Sequence, residues 1–165
     1  MNKKIIAIVL VVALALCSLS AESTSGTSKK NAFSLGIGLG TNSGVAVKYG
    51  MGKFDVQANV GVVIRNSNFI FSGDVGAFYD FYDINFKAGS SKQTISLTTG
   101  PVLGLFAQNG GVGLSAVWTV GAEYTFNKVP VTMFTKLGAG YGFGFSESVN
   151  AGFAFYGVLG AVYTF

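Results

Sequence analysis

The chain has 165 residues, which suits a single domain, and half of them are hydrophobic while only 11% are charged. Soluble domains usually carry about 25% charged residues, so the low charge indicates a membrane protein. The body of this chain lacks the run of ~18 apolar residues that a membrane-spanning helix needs. The composition therefore favours a membrane protein built from strands. The formal net charge of +4 is too weak to indicate nucleic-acid binding.

Residues 1–21 are predicted to be a signal peptide. Two lysines precede the apolar stretch Ile5–Leu16, which is too short to span a membrane and has the length of a secretory h-region. An alternative is that Cys17 becomes a lipid-anchored first residue, although the leucine before it fits a lipoprotein box poorly. Residues 22–31, rich in Ser, Thr and Lys, are predicted to be a flexible lead-in to a barrel at residues 32–165.

Apolar residues alternate with small or polar residues through the rest of the chain, which is the signature of strands. Turn signals divide this pattern into eight candidate strands, at about residues 33–39, 45–49, 54–65, 69–82, 94–106, 112–126, 131–145 and 150–165. The alternation changes phase at Asp83–Gln93, which we interpret as a longer turn with a bulge. The expected fold is all-β: a closed antiparallel up-and-down transmembrane β-barrel of about eight strands.

The composition of the polar face predicts which side of the sheet points outward. A soluble lipocalin-like barrel would expose a face rich in Lys and Glu, but this face consists mostly of Gly, Ser, Thr and Ala, which suit a narrow interior. Aromatic residues of the apolar face gather near the strand ends, as in the interfacial belts of membrane barrels. One predicted belt contains Tyr49, Phe54, Tyr79, Phe81, Tyr124, Phe126, Tyr163 and Phe165, and the other contains Phe69, Phe71, Phe143, Phe145, Phe153 and Phe155.

Seven charged side chains are predicted to point into the barrel: Lys48, Asp55, Arg65, Asp74, Asp80, Glu123 and Lys136. A four-residue turn at residues 50–53, with Gly50 facing Lys53, would place Lys48 opposite Asp55. Glu123 and Lys136 become diagonal neighbours across the turn at Val129. These charges form either a polar path for small solutes or a paired plug. The plug is the favoured interpretation, because unpaired buried ions are costly and because Phe78, Phe106 and Phe134 also point inward.

Catalytic chemistry has little support in the sequence. There is no histidine, so a nucleophile–histidine pair cannot be built, and the protein is expected not to be an enzyme. Cys17 is the single cysteine, so no disulfide or thiolate metal site is expected in the body of the chain. The glycine run Gly36–Gly40 lacks the Lys-Ser/Thr of a phosphate loop. No cofactor and no metal are predicted.

The final strand alternates up to a C-terminal phenylalanine in Gly160–Phe165. Together with Gly44–Tyr49 and Pro130–Phe134, it resembles small eight-stranded outer-membrane proteins of the OmpX and OmpA-barrel kind. The resemblance implies an outer-membrane location in a diderm bacterium, periplasmic termini, and a monomer. It also implies contact with outer-membrane lipid, periplasmic chaperones and the assembly machinery, the last through a C-terminal assembly signal formed by Leu159, Ala161, Tyr163 and Phe165.

The expected function is that of an integral outer-membrane barrel with a plugged polar interior and a structural or surface-contact role. Three alternatives stay open at this point: a narrow small-solute channel, a surface adhesin or ligand binder, and a soluble lipocalin-like carrier of apolar ligands. The short predicted tips at the end away from the termini argue against the adhesin, since family members that bind host ligands usually have long ones.

Overall fold

The computed structural model describes residues 30–65, 68–88, 91–108, 111–145 and 149–165, and the regular structure in these ranges is β-strand. Its strands are β1 (Lys30–Gly40), β2 (Ser43–Met51), β3 (Phe54–Arg65), β4 (Asn68–Ala88), β5 (Ser91–Gln108), β6 (Gly111–Thr125), β7 (Val131–Phe145) and β8 (Val149–Thr164). Across these ranges, no helix is long and apolar enough to cross a membrane.

The eight strands form a closed barrel in which each strand pairs antiparallel with its neighbours in sequence. The ring closes between β1 and β8, where Leu35 lies opposite Tyr163 and the Phe165 amide donates a 3.0 Å hydrogen bond to the Phe33 carbonyl. Closure leaves neither β1 nor β8 as an open sheet edge. The predicted eight-stranded, up-and-down, all-β fold is therefore confirmed.

The alternation of the sequence sorts side chains to the two sides of the wall. Large apolar side chains cover the outside, and several are more than half exposed, including Trp118 at 61%, Leu137 at 63% and Phe155 at 75%. Small and polar side chains fill the inside, together with a few apolar ones such as Val102 and Val117. The apolar face therefore points away from the interior, opposite to the arrangement of a lipocalin-like carrier.

The turn between β2 and β3 lies one residue further along the chain than the predicted turn at residues 50–53, in which Gly50 faces Lys53. Met51 pairs with Phe54, so only two residues connect the strands. Gly52 comes first in this turn and has a φ of 74°. Two-residue hairpin turns use such a glycine because their twist then matches that of the flanking strands. The β2–β3 register consequently differs by two residues from the predicted one.

The segment 83–93, predicted as a long turn, belongs mostly to a hairpin. β4 continues to Ala88 and β5 begins at Ser91, and the two strands pair throughout this region. The register shifts between Asp80 and Tyr82, which marks a β-bulge just before the segment. An extra residue in one strand moves the following side chains to the other face, and this explains why the alternation changes phase without a loop.

This hairpin projects beyond the barrel at the end where β1 begins and β8 ends. The pairing of β3 with β4 stops at Tyr79, and the pairing of β6 with β5 stops at Ile95. Beyond these points the two strands pair only with each other in the part of the chain that the structure describes. We name residues 82–88 and 91–97 the β4–β5 ribbon; residues 95–97, at its base, still pair with β6.

The N-terminal boundary of the barrel also differs slightly from the prediction. β1 begins at Lys30, and Lys30 already pairs with Met51, so the last two residues of the predicted lead-in 22–31 belong to the barrel. Asn31 has a φ of 59° and lies at an irregularity in this pairing. The predicted signal peptide and Cys17 lie outside the described residues.

Candidate functional site: the charged interior

Four ionisable side chains meet inside the barrel, and none is more than 2% exposed: Lys48, Asp55, Glu123 and Lys136. Lys48 Nζ lies 2.7 Å from Asp55 Oδ2 and also donates a hydrogen bond to Glu123. Lys136 Nζ lies 2.9 Å from Glu123 Oε1. Two positive and two negative side chains balance each other, so the cluster is neutral when all four are ionised. We name these four residues the interior ion cluster.

The contact between Lys48 and Asp55 is formed, but by a different route from the predicted one. The short β2–β3 turn places Lys48 opposite Gln57 in the ladder and Asp55 opposite Gly50. Lys48 therefore reaches Asp55 along the diagonal, which a long lysine side chain spans easily. The sequence indicated the right partners and the wrong register.

Glu123 joins two sides of the barrel. It lies opposite Phe134 in the β6–β7 ladder, so Lys136 is its diagonal neighbour, as the sequence predicts. Its second partner, Lys48, belongs to β2, which is four strands away from β6 in a ring of eight. The Glu123–Lys48 pair therefore crosses the lumen from one wall to the opposite one, a contact that hairpin arguments do not reach.

Two aromatic rings pack around the cluster. Lys136 Nζ lies 3.8 Å from the centre of the Phe78 ring and 5.9 Å from that of Phe134, distances at which a cation is attracted to a ring face. Both rings are almost fully buried. Glycines make room for them. A Cβ at Gly76, two residues before Phe78 on β4, would lie 2.4 Å from the Phe78 ring, and one at Gly160, opposite Phe134 on β8, would lie 2.4 Å from the Phe134 ring.

A second polar network lies around the half-buried Asp74. Asn42 and Asn59 donate hydrogen bonds to its two carboxylate oxygens, at 3.0 and 2.6 Å, and the Tyr156 hydroxyl donates a third at 3.2 Å. Ser72 extends the network by donating to the Asn42 side chain at 2.7 Å. Asp74 is thus held by neutral donors, unlike the carboxylates of the interior ion cluster.

Three further residues were predicted to point into the barrel: Asp80, Arg65 and Phe106. Asp80 is partly buried on β4 immediately before the bulge. Arg65 ends β3, and its side chain lies outside the described part of the structure. Phe106 is 38% exposed and packs against Gly113, where an added Cβ would lie 2.0 Å from its ring. Phe106 therefore points inward but stays partly open to solvent.

The sequence did not single out several members of the Asp74 network. Asn42 was assigned to a turn, yet its side chain is only 3% exposed and turns into the barrel. Tyr156 was in neither aromatic belt, because it lies on the inward phase of β8 with Val158 and Val162. A tyrosine on the face that otherwise carries small residues could have indicated an interior hydrogen-bonding group, because a buried tyrosine hydroxyl usually finds a partner.

The residues of the predicted assembly signal lie along β8. Leu159, Ala161 and Tyr163 pair with residues of β1, and Leu159 and Tyr163 are about half exposed on the outer wall. The Phe165 ring lies 5.2 Å from that of Tyr163 and 6.3 Å from that of Phe33. The predicted signal thus coincides with the strand that closes the ring.

Aromatic rings contact one another near both ends of the outer wall. At the end with the β4–β5 ribbon the centroid distances are 4.9 Å for Phe54–Tyr79, 4.7 Å for Tyr124–Phe126 and 6.5 Å for Phe86–Tyr124. At the other end they are 5.9 Å for Tyr141–Phe153 and 4.9 Å for Phe153–Phe155. Three of the rings in these contacts were not part of the predicted belts: those of Phe33, Phe86 and Tyr141.

Comparison with known proteins gives no relative from which a role could be taken. No protein-family model matches the chain, and no curated protein or solved structure matches it. Within the described ranges, no group of three or more His, Cys, Asp or Glu side chains is placed to hold a metal ion. The function must therefore be inferred from the barrel itself.

Proposed function

We propose that this chain is an integral outer-membrane β-barrel protein with a plugged polar interior and a structural or surface-contact role. One observation carries the proposal: apolar side chains cover the outer wall, while the interior ion cluster is enclosed by the ring. Exposed apolar areas beyond a few hundred Å² mark interaction surfaces in soluble proteins. An apolar band around an entire closed barrel matches the requirement of lipid.

The strand lengths support the same proposal. β2, the shortest described strand, has nine residues, and a tilted transmembrane β-strand needs about 9–11. The longer β7, with 15 residues, would rise roughly 38 Å at about 3.3 Å per residue and a tilt of about 40°. The ring contacts near both ends of the wall are where membrane barrels place their aromatic girdles.

The last strand supports assembly in the outer membrane. Its alternation towards Phe165 resembles the signal that the outer-membrane assembly machinery reads, and it is the strand that pairs with β1 to close the ring. Periplasmic chaperones and this machinery are the proposed partners during biogenesis, and outer-membrane lipid is the proposed lasting partner.

Spin labels on the outer wall test insertion. Single cysteines at Val60 and Val120, which are 51% and 58% exposed, are introduced with Cys17 replaced by Ser, and the protein is refolded into lipid vesicles. Labels at both sites are expected to be accessible to oxygen dissolved in the acyl chains and shielded from a water-soluble nickel reagent. A label at Thr41, which is exposed in the β1–β2 turn, is the aqueous control. Water accessibility at Val60 and Val120 in a compact, boiling-sensitive barrel would exclude the proposed insertion.

The plug has a separate test in planar bilayers. Phe134, Lys136 and Asp55 are among the bulky side chains buried to less than 2% exposure, so the refolded protein is expected to give no steady conductance. Steady, voltage-independent channel events from purified protein would contradict the plug and favour the narrow channel for small solutes. Insertion would remain supported in that case, because the spin labels measure it independently.

A further inference from the structure

The exposed charges of the described residues lie at one end of the barrel. Lys53 occupies the β2–β3 turn, Lys128 the β6–β7 turn, and Lys87 and Lys92 the β4–β5 ribbon, with Asp83 as the acidic residue among them. Antiparallel topology places all of these segments at the end where β1 begins and β8 ends. This rim therefore has a clear excess of positive charge directly below the apolar outer wall.

The β4–β5 ribbon is amphipathic. One side carries a polar ladder, in which Ser96 donates to Asp83 at 2.7 Å and Thr94 donates to Asn85 at 2.8 Å. The β4 residues that alternate with Asp83 and Asn85 lie on the other side of the ribbon and are apolar. They are Tyr82, Ile84 and Phe86, with exposures of 61%, 41% and 39%. The apolar side continues the lipid-facing wall beyond the point where β3 stops pairing, and Phe86 also lies beyond the last pair of β5 with β6.

The apolar side of the ribbon also connects to a groove in the outer wall. This shallow depression of about 330 Å³ is lined almost entirely by apolar atoms, among them those of Phe81, Leu97, Val120 and Leu137. Leu97 lies opposite Tyr82 at the base of the ribbon. An apolar groove that leads onto an apolar ribbon suits a flexible acyl chain.

The lysines of the ribbon are arranged unfavourably unless an anion joins them. Lys87 and Lys92 lie directly opposite each other in the ladder, on the polar side of the ribbon with Asp83 and Ser96, and both are exposed. Like charges in this arrangement repel. Asp83 is four residues from Lys87 along the strand, about 13 Å away at the usual rise, so it does not neutralise the pair. An anion that bridges the two ammonium groups would remove the repulsion.

Neighbouring contacts place a third lysine close to this pair. The Asn127 side chain donates a hydrogen bond to the Lys92 carbonyl, and the Tyr124 hydroxyl donates to Gln93 Oε1 at 2.9 Å. These contacts hold the β6–β7 turn, which carries Lys128, against the ribbon. Lysine stems lie along apolar surface while their ammonium groups reach the headgroup level.

We infer that the β4–β5 ribbon and the adjoining lysines bind the anionic headgroups of phospholipids in the leaflet nearest the chain ends. The apolar side of the ribbon contacts the acyl boundary, and Lys87 and Lys92 on its polar side reach the phosphodiester groups together with Lys128, as the basic residues of an amphipathic segment do at a membrane interface. The inference rests on the membrane insertion proposed above. It adds a lipid-selective surface, which a barrel that is merely inserted would not need.

Quenching by brominated lipids tests this surface. The reporter is Phe86→Trp in a Trp118→Phe background, refolded into phosphatidylcholine vesicles that contain a small fraction of brominated phosphatidylglycerol or brominated phosphatidylcholine. The reporter is expected to associate preferentially with the anionic lipid. Changing Lys87, Lys92 and Lys128 to Gln should lower this preference, by about fivefold for each lysine, and half-molar salt should weaken it. The matched change of the same three residues to Arg should preserve it.

A second reporter, Val60→Trp in the same background, separates failure of this inference from failure of the proposed function. No quenching at either site would overturn membrane insertion, and the inference with it. Quenching at Val60→Trp alone would leave insertion intact and place the ribbon in water. Equal quenching of Phe86→Trp by the two lipids would overturn the selectivity. Efficient crosslinking between copies through Phe86→Cys would assign the ribbon to a second copy of the chain and overturn its lipid contact.

Discussion

Replacing Glu123 by leucine is the sharpest test of the interior ion cluster. The change removes the carboxylate that contacts both Lys48 and Lys136 but keeps a side chain of similar size. Lys136 then remains buried without its ion-pair partner, while Lys48 keeps Asp55. The expected consequence is a large loss of stability without a change of fold.

The size of the loss follows from the geometry. At 2.9 Å between Lys136 Nζ and Glu123 Oε1, the Coulomb attraction is about 6 kcal/mol at an effective dielectric constant of about 20. Part of this attraction offsets the desolvation of the two ions. Removing one partner of a buried pair typically costs about 3–5 kcal/mol, because the other charge stays buried. We therefore expect Glu123→Leu to lower the free energy of unfolding by about 3–5 kcal/mol.

The assay is urea unfolding of the refolded protein in vesicles, followed by the fluorescence of Trp118, the chain's single tryptophan. The matched control is the double variant Glu123→Leu/Lys136→Met, which leaves Lys48 paired with Asp55. Because a neutral replacement of a buried pair is often tolerated, it should recover most of the lost stability. The reasoning is refuted if the single variant loses less than about 1 kcal/mol and the second substitution restores nothing, since both charges would then be solvated.

Three further outcomes are expected from the same unfolding assay. Gly160→Val should lower the free energy of unfolding by about 1–3 kcal/mol through overpacking, because its Cβ would lie 2.4 Å from the Phe134 ring. Gly152→Ala should change this free energy little, because no atom lies within 4 Å of the new Cβ. Tyr156→Phe should cost about 1 kcal/mol, because it removes the hydroxyl that donates to an interior carboxylate at 3.2 Å; an unchanged midpoint would mean that this bond is not formed. Gly52→Ala should cost about 1 kcal/mol through its φ of 74° alone, since the site has open space around it, and a stabilised variant would contradict this backbone conformation.

The sequence predicted the strand count and the two faces because alternation is a local property of each segment. It predicted β7 at residues 131–145, where the pattern is unbroken and a proline precedes it. It failed at residues 83–93, because a bulge and a loop both break the phase of the pattern. It also misplaced the β2–β3 register, because the positive φ of Gly52 places the turn one residue further along the chain than the turn-forming residues indicated.

The interior was only partly predictable. Glu123 and Lys136 belong to adjacent strands, so hairpin geometry brings them together. Lys48 meets Glu123 across the lumen, and Asn42 reaches Asp74 from a turn. Such contacts depend on the combined registers of all eight strands, and an error of two residues in one hairpin changes them.

The diametric position of the Glu123–Lys48 contact has a mechanical consequence. Lateral pressure in a membrane tends to flatten a hollow cylinder into an ellipse. Here, lengthening the axis between β2 and β6 would separate two opposite charges in a dry environment, and shortening it would compress the packed rings beside them. The cross-section therefore resists both deformations, so the proposed membrane barrel should keep its outline in bilayers of different tension.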